Sequence, residues 1–132
     1  MTLTPGRAGR DVGPRSYIGP MLSFQKLDVY QRAVQFLALT AEIGDQAPKG
    51  NAALVDQLRR AASSISLNIA EAAGRTGKAD SARTYAIARG SAMESAAVLD
   101  ALALLKVLDE GRKERGMVML ESIVAMLTRM CQ

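Results

Sequence analysis

Four times between Phe24 and Met130 the sequence brings apolar residues round at intervals of three and four. An α-helix turns once in about 3.6 residues, so that spacing keeps returning to one side of a helix and asks for a partner surface. Four such segments joined by short breaks lead to an all-α fold, an antiparallel up-down-up-down four-helix bundle. The residue types agree: Ala, Leu and Met hold a helix at little cost, and aromatics are only 4% of the chain. With 132 residues there is enough chain for one core and too little for two.

The boundaries follow from the breakers. Residues 1–21 carry three of the four prolines and read as a flexible, slightly basic tail, with Arg7, Arg10 and Arg15 against Asp11. Met21 reads as a second possible start of the natural chain; an arm that touches phosphates is the functional alternative. The bundle domain is 22–132. A first helix is expected over about 24–44, capped by Ser23, with Phe24, Leu27, Val34, Leu37 and Ala41 as its stripe and Gly44 as its end. The second, about 51–73, carries Leu54, Leu58, Ala61, Ile65, Ile69 and Ala72 and stops at Gly74, where a left-handed residue is expected. The third, about 79–108, carries Tyr85, Ala88, Ala92, Ala96, Leu99 and Leu102. Its Gly90 costs about 1 kcal/mol against Ala, which close packing of another backbone would offset.

The fourth helix, about 113–130, has two apolar stripes, and GRKERG (111–116) reads as a charged connector before it or as its frayed start. One is Met117, Leu120, Val124 and Leu127; the other is Met119, Ile123, Met126 and Met130. A surface helix needs one apolar face. The second stripe is therefore expected to be an oligomer interface, the alternative being a helix wedged among the other three.

Several functions are disfavoured by what is missing. There is no His, which removes the usual general base and the commonest metal ligand. The Glu-x-x-His motif of carboxylate metal sites in bundles is absent. GRTGK at Gly74–Lys78 lacks the spacing of a phosphate loop. No catalytic residue, metal site or cofactor is expected. The lone Cys131 suits a reducing cytoplasm, and no apolar run approaches the ~20 residues of a membrane span.

Two sets of polar residues remain. Arg60, Asn68, Glu71, Arg89 and Glu94 lie beside the apolar stripes of the second and third helices and read as one structural network at the core margin. Arg59, Arg75, Lys78 and Arg83 read as a phosphate-binding set on a chain of net charge +4. Without an aromatic row for bases to stack on, backbone binding is the most these cations support. A protein-binding adaptor with an incidental basic surface is the alternative.

The blocks FQKLDVYQRA (24–33), LVDQLRRAASSISLNIAEA (54–72), Gly74–Arg75 and ARGSAMES (88–95) resemble the bacterial four helix bundle protein family, first noticed as products of intervening sequences in large-subunit ribosomal RNA genes. The resemblance spans about 22–130. It implies a four-helix bundle that assembles into a ring, a homopentamer, and supplies no catalytic residues. The chain is also similar to the accessory protein of diversity-generating retroelements, a basic pentamer that binds nucleic acid and a reverse transcriptase. RNA or DNA and such a protein are thus the partners the resemblance implies. Ala72 stands where the family reads Gly, loosening one close approach.

Overall fold

A computed structural model describes residues 22–132; the expected tail lies outside the described residues. Those residues form a 3-10 turn, Ser23–Lys26, and four helices: α1 (Asp28–Gln46), α2 (Ala52–Ala73), α3 (Lys78–Leu104) and α4 (Glu110–Met130). No strand occurs among them. Each helix packs on two others, α1 and α3 both touching α2 and α4. Phe36, Leu58, Ile65, Ile69, Leu99, Leu102, Ile123 and Leu127 fill the centre and are closed to solvent.

The ends differ from the expected ones for local reasons. Ser23 caps no α-helix: Leu22 donates its N–H to Gln25 Oε1 at 2.8 Å, closing a 3-10 turn instead. Leu27 is extended, and α1 begins after it. Gly44 does not end α1. Pro48 disfavours helical backbone in the residue before it, and Ala47 accordingly is extended. Gly74 is right-handed at φ −88°, not left-handed.

The left-handed stop belongs to α3, at Lys106 with φ 64°. Lys106 N–H reaches Ala103 O at 3.0 Å and Val107 N–H reaches Leu102 O at 2.9 Å, the paired bonds of a Schellman cap. α3 therefore ends at Leu104, four residues before the expected 108. Of the two readings of GRKERG, the start of α4 is the one observed: Asp109 Oδ2 accepts the Arg112 N–H at 3.0 Å as its N-cap.

Two faces also move. α1 buries Val29, Ala33, Phe36, Thr40 and Ile43, while Val34 and Leu37 lie at the margin and Ala41 is exposed. α4 has one core line, Gly116, Leu120, Ile123 and Leu127. Ile123 is thus a core residue and not part of an outer stripe. Met119, Met126 and Met130 pack half-buried against that core. On their flank Arg112 and Ser122 meet Glu42 and Arg32 of α1. Of the expected second stripe, Ile123 is wholly covered within the subunit and the three methionines are partly covered.

Surplus apolar surface lies elsewhere. Ile87 and Met93 on the outside of α3 are each 45% exposed, Leu67 of α2 is 67% exposed and Leu104 is 80% exposed. Gly90 lies between Ile87 and Met93, and nothing in the subunit comes within 4 Å of where its Cβ would stand.

Candidate nucleic-acid interface

The α2–α3 turn is built by Gly74 and by Ser81, whose hydroxyl donates to Ala72 O at 2.8 Å and holds the start of α3 against the end of α2. This juxtaposition brings Arg75, Lys78 and Arg83 together. They do not stand alone. Arg75 pairs with Glu71 and reaches Asp80 at 3.4 Å, and Arg83 meets Asp80 at 2.9 Å. Lys78 is exposed and has no carboxylate partner among the described residues. Nearby, burial pushes the Tyr85 phenol above its ordinary value, so it stays neutral and adds no charge.

Arg59 is not part of this group. It sits sixteen residues before Arg75 on α2, roughly 24 Å along the helix, beside Gly44 and 3.6 Å from Asp56. Asp56 also takes Arg60. The spacing Asp56–Arg59–Arg60, Glu71–Arg75 and Asp80–Arg83 at three and four residues announces these pairs in the sequence.

The five residues read as one polar network do not form one. Arg60 turns to Asp56 and Glu71 to Arg75, each one turn away along α2. Arg89 instead crosses to α4, where its Nε donates to Thr128 Oγ1 at 2.8 Å. Glu94 lies 3.5 Å from Gln57, fourteen residues before Glu71 on α2. Glu71 and Glu94 therefore make no carboxylate pair. Asn68 does bridge to α3, but through serines: its amide donates to Ser64 Oγ at 3.0 Å, and Ser91 donates to the same oxygen at 2.8 Å. Both serines are small enough to let α2 and α3 approach, which explains why the longer charged side chains turn outward and pair locally.

A second polar cluster ties α1 to α4 at the other end. Glu42 accepts from Arg112 at 2.8 Å and Arg115 at 3.2 Å, and Arg112 also meets Asp109 at 2.7 Å. The two guanidiniums hold Glu42 below its ordinary carboxyl value, and Arg112 does the same to Asp109. Glu42 and Asp109 are both engaged by arginine, so the cluster is a clasp.

No group of three or more His, Cys, Asp and Glu gathers to hold a metal among the described residues. None of the described helices is long and apolar enough to cross a membrane.

No curated protein matches the chain. A family model does: residues 25–129 match the one described as 23S rRNA-intervening sequence protein, covering the second half of the 3-10 turn and nearly all of the four helices. The same stretch holds the Asn68–Ser64–Ser91 bridge and the α2–α3 turn, and the chain belongs to the 23S rRNA-intervening sequence protein family.

Proposed function

We propose that this protein is a non-catalytic, cytoplasmic, nucleic-acid-associated scaffold: an antiparallel up-down-up-down bundle assembled into a homopentameric ring that holds phosphate backbone. The observation that carries the reading is the exposed, net positive turn between α2 and α3, where Glu71 and Asp80 balance Arg75 and Arg83 and Lys78 is left as the surplus charge. A ring repeats that weak cluster around its axis, and repeated phosphate contacts add in the exponent of the binding constant. The family description, an rRNA-intervening sequence protein, agrees with a nucleic-acid setting.

Assembly uses a different surface from the one the α4 methionines suggested. The outer face of α3, with Ile87, Gly90, Met93 and Ala97, is apolar surface that the subunit leaves uncovered, and Leu67 of α2 and Val118 of α4 are exposed as well. The test is sedimentation of the full chain with labelled RNA and duplex DNA across a salt series. The native chain sediments as a pentamer and binds with an association constant that falls steeply with salt; Ile87→Glu with Met93→Glu sediments as a folded single subunit and binds far more weakly. A native chain that stays a single subunit, or shifts neither nucleic acid at low salt, overturns the reading.

A further inference from the structure

Which cations meet the phosphates is decided by which are already neutralised. Among the described residues ten ion pairs engage Arg32, Arg59, Arg60, Arg75, Arg83, Arg112, Lys113 and Arg115. Lys26, Lys78 and Arg129 are exposed and have no carboxylate partner among the described residues.

These three come from three different places in the sequence and collect at one end. Arg32 meets Ser122, and Glu42 meets Arg112 and Arg115, so the start of α1 lies with the finish of α4. Lys26 ends the 3-10 turn two residues before α1, and Arg129 is in the last turn of α4. Gly44 lies beside Val55 and Arg59, so the start of α1 is at the other end of α2, where Lys78 opens α3. Arg89 leans to this end as well, held on Thr128 next to Arg129.

The opposite end has no such surplus. Lys49 and Lys106 stand there among Asp45, Glu110 and Glu114, which lack a cation partner among the described residues. The other unpartnered carboxylates, Glu94 and Glu121, lie well inside α3 and α4. The bundle is therefore polarised, with a positive surplus at one end, where Asp28, Glu71 and Asp80 are all paired.

We infer that Lys26, Lys78 and Arg129 form the phosphate-contacting surface, and that Arg59, Arg75 and Arg83, already held by Asp56, Glu71 and Asp80, contribute little. This rests on the nucleic-acid reading above and names its site. An ion-paired arginine must first give up its carboxylate to meet a phosphate, whereas an unpaired lysine exchanges only water and counterions.

The experiment is fluorescence anisotropy of labelled poly-uridine RNA with the full chain over a salt series. Lys26→Gln, Lys78→Gln and Arg129→Gln together should reduce the slope of log affinity against log salt by about 2 for each engaged protomer, at ~0.7 per single-strand contact. The comparison chain, Arg59→Gln with Arg60→Gln, two arginines held by Asp56 away from the α2–α3 turn, should keep the native slope. All five positions are exposed, and thermal melting shows whether each variant is folded. Equal slopes for the native chain and the triple variant overturn the inference while leaving the nucleic-acid reading intact. So does a loss of slope in the comparison chain that matches the triple variant's. A native chain that binds no RNA at low salt overturns both.

Discussion

Gly116→Ala tests how tightly α4 is pressed into the bundle. A Cβ at position 116 would stand 2.7 Å from Leu99 Cδ1, 3.5 Å from Leu39 Cδ2 and 3.6 Å from Phe36 Cε1. Carbon atoms prefer about 3.5–4.0 Å, so Leu99 must retreat by about 1 Å. Leu99 and Phe36 are wholly buried and Leu39 is 3% exposed, leaving no slack on the far side. Alanine in a helix interior gains about 1 kcal/mol over glycine, and overpacking a core costs about 1–3 kcal/mol. The net expectation is a loss of about 1 kcal/mol, or roughly 4 °C in Tm for a domain of this size. Urea unfolding at fixed protomer concentration measures it, with the m-value unchanged. Leu99→Ala removes the opposing methyl, so the pair of changes should cost less than their separate costs added together. A Gly116→Ala chain more stable than the native one by about 1 kcal/mol, the bare propensity gain, refutes the close approach of α4 to α3.

Two further outcomes follow from the helix ends. Lys106→Gly should raise stability by about 1 kcal/mol in the same urea assay, because the left-handed residue of the α3 cap carries a Cβ that glycine does not. Glu42 has a lowered folded pKa, so its clasp contributes fully above its ordinary 4.5 and is lost as pH falls through the lower folded value. Glu42→Gln should therefore reduce stability at neutral pH and flatten the acid limb of a Tm-against-pH curve below about pH 4.5; an unchanged acid limb removes Glu42 from the account.

What the sequence discloses depends on whether one residue pattern has one answer. In α2 it does: Leu58, Ala61, Ile65, Ile69 and Ala72 are apolar and their opposite face is Gln57, Arg60 and Glu71, so only one orientation buries them. In α1 two orientations satisfy the threes and fours. The choice of Ala33, Phe36, Thr40 and Ile43 is made by what lies opposite, including the space beside Gly116, which no local signal records. α4 is ambiguous for a related reason. Its core line runs through Gly116, a residue with no hydropathy to count, so spacing alone groups Ile123 with Met119 and Met126. The site shows the same division. Lys78 and the turn around it were visible as charge, and the local pairs of Asp56 and Asp80 were visible as spacing. The placing of Lys26, Lys78 and Arg129 at one end was not, because it depends on three chain segments far apart in sequence and joined only by the packing.

The two proposed surfaces constrain one another. If outer α3 faces were paired by a two-fold axis perpendicular to the helices, the two subunits would point in opposite directions and their positive ends would stand apart. A single strand could then engage only one of them. A closed ring made by successive head-to-tail contacts about an axis along the helices points every subunit the same way, and the end carrying Lys26, Lys78 and Arg129 repeats around one rim. The salt slope therefore reports on geometry as well as charge. A slope equal to several protomers' worth of contacts requires the parallel arrangement. A slope of about 2, unchanged when Ile87→Glu and Met93→Glu separate the subunits, means that assembly and phosphate binding are independent and that the ring does not multiply the field.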